Sequence, residues 1–94
     1  MAKSILQDEK ECFICHTTQN LERHHIFGGA YRSKSERDGL TVYLCHRHHN
    51  EPPCGVHHDR ERMDWLRAIG QRRYMEHYSK TKEDFIREFG RNYI

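Results

Sequence analysis

The chain has 94 residues, with 16 Lys and Arg against 14 Asp and Glu and a net charge of +2 when histidine is neutral. That length fits one domain with a small core, and 35% apolar against 32% charged residues lies at the polar edge of what burial alone can fold. The near-balanced charge excludes any argument for nucleic acid from bulk electrostatics, so local clustering must carry it.

Four Cys and nine His in so short a chain point to a bound metal as the missing stabiliser, with disulfides as the rival. Residues 1–10 read as a polar, frayed lead-in without a long apolar run, so neither a signal peptide nor a membrane span is expected. On that reading the chain is cytosolic, where thiols stay reduced and Cys pairs bind zinc more often than they bridge.

The organised part begins near Glu11. Cys12-Phe13-Ile14-Cys15 is a two-residue-spaced Cys pair, and His16–Asn20 is its polar exit. Leu21–Phe27 predicts a short strand closed by Gly28-Gly29. The stretch from Ala30 to Gly39 has no useful period and predicts an exposed, mobile loop. Leu40–Cys45 is the best strand, rich in β-branched and aromatic residues, and should pair antiparallel with the first. His46–Glu51 predicts one helical turn that Pro52-Pro53 must end.

Asp59–Tyr78 predicts the longest helix, with Met63, Leu66, Ile69, Gly70, Tyr74 and Tyr78 as its apolar stripe and Trp65 off it. Thr81-Lys82-Glu83-Asp84 resembles a helix start, Phe85, Ile86 and Phe89 give a second amphipathic helix, and Gly90 stops it. Asn92-Tyr93-Ile94 should tuck back onto the domain. The organisation is therefore one domain over 1–94: lead-in 1–10, metal-bearing core 11–58 and C-terminal helices 59–94.

Cys12-X2-Cys15 and Cys45-X2-His48 are two pairs with tetrahedral zinc spacing, and both strands lie between them. One structural zinc would pin both ends of the hairpin. Cys54 competes with His48 for the fourth position, though eight residues separate it from Cys45 and the Pro-Pro turn intervenes. The shorter loop favours His48.

Further histidines stand outside that set: His24-His25 on the first strand, His49 after the second, and His57-His58 beyond the prolines. A strand alternates its side chains, so His24 and His25 point to opposite faces and take different jobs. His24, His49 and His57, with His58 as competitor for the last place, would form an open all-imidazole site for a divalent ion. Such an ion stabilises charge developing on a phosphodiester. A neutral imidazole suits the removal of a proton from water near physiological pH, and His25 is the candidate general base. His16, His46, His58 and His77 read as structural or solvent-facing.

Cys12-X2-Cys15, Arg23-His24-His25-Ile26-Phe27 and Leu44-Cys45-X2-His48-His49, in that order, resemble the zinc-finger-bearing HNH endonucleases of phages and prophages. The likeness runs from Cys12 to His57, about half of the chain. It implies an α+β fold with a ββα-metal (His-Me finger) core, in which His24, His49 and His57 hold the catalytic ion (Mg²⁺, Mn²⁺, Ni²⁺ or Zn²⁺) and His25 is the base. It also implies a cytoplasmic setting in a bacterial host. Two positions depart from the pattern. The Asn that usually opens the second strand is replaced by Leu40, so either another group orders the intervening loop or activity is weak, and Pro52-Pro53 lengthens the spacing from His49 to the next histidine.

Arg32, Lys34 and Arg37 on the inter-strand loop are the candidate phosphate contacts, supplemented by Arg60, Arg62, Arg67, Arg72 and Arg73 on the long helix. Contacts of that kind give affinity without sequence reading. The expectation is weakly specific DNA nicking or cleavage, with a phage protein as a further partner. The rival readings are a non-catalytic zinc module that binds DNA or a phage protein, and a metal-independent recombination accessory domain.

Overall fold

The computed structural model describes residues 2–94. Strand β1 (Leu21–His25) leads through a 3₁₀ turn (Gly29–Tyr31) into helix α1 (Arg32–Asp38), and strand β2 (Thr41–Cys45) runs directly into the short helix α2 (His46–Asn50). A second 3₁₀ turn (Val56–His58) precedes the long helix α3 (Arg60–Tyr78) and helix α4 (Lys82–Phe89). The fold is α+β, with one two-stranded antiparallel sheet in which His24 faces Val42 and His25 faces Thr41. Among the described residues no helix is long and apolar enough to cross a membrane.

The expected loop at 30–39 is largely helical. The loop reading failed because α1 owes little to apolar periodicity. Ser35, buried inside α1, donates from Oγ to the Phe27 carbonyl at 2.8 Å and accepts from the Phe27 N–H at 3.0 Å. Gly39 then ends the helix in the left-handed region at φ 72°, and a Cβ there would come within 2.3 Å of the Lys3 carbonyl oxygen.

The lead-in is likewise held rather than frayed. The exposed edge of a two-stranded sheet presents unpaired backbone groups, and residues 4–13 cover those of β2. Ser4 Oγ donates to the Thr41 carbonyl at 2.5 Å, Ile5 N to the Gly39 carbonyl at 2.9 Å, and Phe13 N to the Tyr43 carbonyl at 2.8 Å. The Tyr43 N–H donates to Gln7 Oε1 at 2.9 Å, and Arg73 on α3 donates to the Ile5 carbonyl at 2.8 Å. Ile5 and Leu6 rest on the core.

Helix α3 is capped by the Asp59 side chain, which accepts from Arg62 N. It buries Met63, Leu66, Gly70, Gln71 and Tyr74. Ile69 is only half-buried and Tyr78 is exposed, its hydroxyl donating to the Asp38 carbonyl at 2.8 Å. Gly70 admits the close approach of α3 to the end of β1, since a Cβ there would lie 3.0 Å from Ile26 Cγ2. Gln71 sits on the buried face because its amide receives the C-terminal segment, donating to Asn92 Oδ1 at 2.7 Å and accepting from Tyr93 N at 2.6 Å.

Helix α4 opens with a reciprocal capping box between Thr81 and Asp84 and closes at Gly90. Its Phe85 and Phe89 complete an aromatic cluster with Phe27 and Tyr74, the Phe27–Phe89 centroids 4.9 Å apart. This cluster anchors the helical half of the molecule, while Val42 and Leu44 of β2 carry the same core into the sheet.

Candidate metal centres

The turn after Cys12 is built by His16 N donating to the Cys12 carbonyl at 2.9 Å and Cys12 N to the Thr17 carbonyl at 2.8 Å. Cys45 ends β2 and is the N-cap of α2, so His48 falls in the first turn of that helix, beside it. Cys12, Cys15, Cys45 and His48 each offer one ligand atom, and the four atoms lie within 4.8 Å of one another.

Individual spacings match a shared ion. Zinc–sulfur bonds of about 2.3 Å place two thiolates roughly 3.8 Å apart in a tetrahedron. Cys15 Sγ and Cys45 Sγ are 3.8 Å apart, while His48 Nδ1 is 3.3 Å from Cys45 Sγ and 3.8 Å from Cys12 Sγ. A disulfide needs sulfurs at about 2.05 Å, and all four cysteines are free. The group can hold a metal such as zinc. Cys54 lies apart from it, its sulfur 3.9 Å from Arg47 Nη2.

Burial raises the Cys12 thiol, but the backbone N–H groups of Cys15, Cys45 and Ile14 outweigh it and bring its pKa below the usual thiol value. Donors aimed at that sulfur favour the thiolate a metal requires. Phe13, between the two knuckle cysteines, lies beside Trp65 of α3 with ring centroids 6.2 Å apart.

A second group forms on the other side of α2. His24 from β1, His49 from α2 and His57 from the 3₁₀ turn bring one ring nitrogen each within 4.8 Å of the others. The ring centroids of His24 lie 5.2 Å from His49 and 5.4 Å from His57, and His49 Nε2 is 3.2 Å from His57 Nε2. Two nitrogens bound at about 2.1 Å to one tetrahedral ion sit roughly 3.4 Å apart.

His24 is 3% exposed, and its Nε2 is buried with no hydrogen-bond partner. Burial, then the neighbouring His49, His57 and Arg67, push its pKa down to about 3, so the ring is neutral at any ordinary pH. Burial also lowers His57, with His49 and His58 adding to the effect. A buried imidazole nitrogen without a partner is costly, and a cation held among the three rings would satisfy it. His58 is exposed and outside the triad.

Strand alternation decides what surrounds each histidine. Glu22 and His24 share a face of β1, and Glu22 reaches α2, its Oε1 2.8 Å from His49 Nδ1 and its Oε2 2.8 Å from His46 Nδ1. These contacts hold the Glu22 carboxyl below its usual range. Arg23 and His25 share the opposite face with Glu36 of α1. Glu36 accepts from Arg23 Nη1 and Nη2 at 2.8 and 2.6 Å, and lies 3.4 Å from His25 Nε2.

The structure therefore brings together His24, His49 and His57, and turns His25 toward α1. Of the candidate phosphate contacts, Arg32 is exposed. Lys34 is engaged by Glu88 (2.8 Å to its carbonyl, 3.0 Å to its carboxylate), and Arg37 by Asp38 at 2.8 Å.

Three residues of these sites escaped the sequence reading. Glu22 was findable, because it sits two positions before His24 and a strand repeats every two. Glu36 and Ser35 carried no such signal, because α1 was not expected. No family model, curated protein or solved structure matches this chain.

Proposed function

We propose that the chain is a metal-dependent endonuclease of the HNH (ββα-metal) type that hydrolyses DNA phosphodiester bonds with weak sequence specificity. One observation carries the reading: three imidazoles from three separate elements converge, and the deepest keeps a buried nitrogen without a partner. The lower half of the chain fits the same reading, since the hairpin β1–β2 leads directly into α2 and the 3₁₀ turn that carry the second and third histidines.

His24, His49 and His57 would hold the divalent ion, while Cys12, Cys15, Cys45 and His48 would hold a structural zinc. The divalent ion, when bound, stabilises negative charge on the phosphate and on the leaving oxygen. His25 is the base: with Nε2 directed at Glu36, its Nδ1 is the nitrogen left to accept a proton from water. Glu36 orients that ring and is itself anchored by Arg23. Ser35 takes over the loop-ordering work that an Asn at the Leu40 position would do, tying both backbone groups of Phe27 from within α1. Arg32 contacts phosphate directly, and Lys34 and Arg37 do so by exchanging Glu88 and Asp38 for the nucleic acid. The setting that accompanies this reading is the cytoplasm of a bacterial host, with a phage protein as partner.

A second reading, a non-catalytic zinc-stabilised module that binds DNA or a phage protein, draws support from His25. That ring is mostly buried and already engaged by Glu36. Plasmid cleavage with added Mn²⁺, Mg²⁺ or Ni²⁺ separates the two. The nuclease cuts, and His25→Ala slows it by about 10²–10⁴-fold, as loss of a general base does, with zinc content unchanged. Wild-type protein that leaves the plasmid intact with every metal overturns the enzyme reading. Undiminished cutting by His25→Ala overturns the role of that ring.

A further inference from the structure

We propose that Glu22 is the positioning residue of the histidine triad, its carboxylate fixing His49 in the tautomer and ring orientation that present Nε2 to a divalent ion. This rests on the reading of His24, His49 and His57 as a metal site.

The geometry is specific. Glu22 stands two residues before His24 on β1, so both side chains leave the same face of the strand, and its register partner is Leu44, one residue before the start of the Cys45-X2-His48 turn. From there the carboxylate meets α2 side-on and spends both oxygens. Oε1 is 2.8 Å from His49 Nδ1 and Oε2 is 2.8 Å from His46 Nδ1, two rings three residues apart on one helical face. Asn50 Nδ2 donates to Oε1 as well, at 3.3 Å.

An ionised carboxylate only accepts hydrogen bonds. His49 Nδ1 must therefore carry the proton, which leaves Nε2 with its lone pair in the neutral ring. That nitrogen is the one 3.2 Å from His57 Nε2, on the far side of the imidazole from Glu22. The carboxylate itself is outside the triad. It acts through His49, by choosing which nitrogen is basic and by preventing the ring from turning.

A carboxylate behind a metal-bound imidazole raises its basicity as well as aiming it, and removal of such a partner typically weakens metal binding by about 10–100-fold. Glu22 is partly exposed, which places the expected loss toward the lower end. Charge and orientation are separable here. Gln retains one carbonyl oxygen for the His49 Nδ1–H but loses the charge, whereas Ala loses both.

The test uses the full zinc-loaded chain and Ni²⁺ as the probe, with affinity read by calorimetry and His49 protonation read by nitrogen NMR before Ni²⁺ is added. Wild type should show His49 protonated at Nδ1 and one Ni²⁺ bound besides the zinc. Glu22→Ala should bind Ni²⁺ about 10-fold or more weakly with zinc content unchanged, and Glu22→Gln should fall between the two. If Glu22→Ala matches wild type, or if wild-type His49 carries its proton on Nε2, the positioning role is overturned while the metal site stands. If wild type takes up no second ion, the triad reading falls and this inference falls with it. Should the alanine variant fail to fold, the Gln variant and the wild-type tautomer still decide the matter.

Discussion

His48 and His49 are neighbours in sequence and serve different clusters. His48 Nδ1 lies 3.3 Å from Cys45 Sγ, whereas His49 Nε2 lies 3.2 Å from His57 Nε2. Helix α2 is only five residues long and begins at the residue after Cys45. A helix of that length has little stability of its own, so the packing and ligation at its ends must hold it.

The dependence between the clusters should consequently run one way. Stripping zinc with a strong chelator should unfold the hairpin and abolish Ni²⁺ uptake by the triad, because ligation and folding are coupled. His57→Ala should lose Ni²⁺ uptake and keep both zinc and the circular dichroism of the wild type. Metal analysis together with circular dichroism reads both arms. A chelated chain that melts like the zinc-loaded one would remove the structural role of the Cys-bearing cluster.

Ser35→Ala should cost stability without touching any proposed ligand. The hydroxyl is fully buried and satisfies both the N–H and the carbonyl of Phe27, so its loss leaves two buried backbone groups short of a partner, at about 1–3 kcal/mol. Denaturant melts of the zinc-loaded protein measure this. Ser35→Thr, which keeps the hydroxyl but adds a methyl group to a filled space, should recover only part of it. A neutral Ser35→Ala would mean that α1 is held by its Gly39 terminus and its contacts with the core alone.

Tyr74 predicts an alkaline limit to stability. Burial raises its phenol above the ordinary value of 10.0, and the nearby Asp38 and Glu88 carboxylates add to the shift. An acid whose folded pKa is raised stabilises the fold fully below the unfolded pKa, and that contribution is lost as pH climbs through the folded pKa. Stability should therefore decline above about pH 10, and Tyr74→Phe should flatten the decline. Melting curves across the alkaline range, paired with phenolate absorbance, give the comparison. Equal alkaline slopes in the two proteins would assign the loss to other groups.

Much of the architecture was legible because it rests on short-range rules. The Cys and His spacings named the four residues that converge around Cys45, since a two-residue gap is the distance at which one turn of chain can present two ligands. The antiparallel pairing of the two strands followed from β-branched content and the intervening glycines. The capped start of α4 followed from Thr81 and Asp84. The errors share one cause, which is that side-chain-to-backbone ties over long separations leave no periodic trace. Ser35 reaching Phe27, Gln7 reaching Tyr43 and Gln71 reaching Tyr93 turned an expected loop into a helix, a frayed lead-in into a strap and a polar residue into part of the core. His25 stands between these cases, because strand alternation put it opposite His24 but did not name Glu36 as its companion.

Trp65 is the only tryptophan in the chain, and its ring sits 6.2 Å from Phe13, within the turn that joins Cys12 to Cys15. With 47% of its surface open to water, the indole is poised between two environments. Its intrinsic fluorescence should therefore report whether that turn is closed, so that metal uptake by the Cys-bearing cluster is open to an optical test on an unlabelled sample.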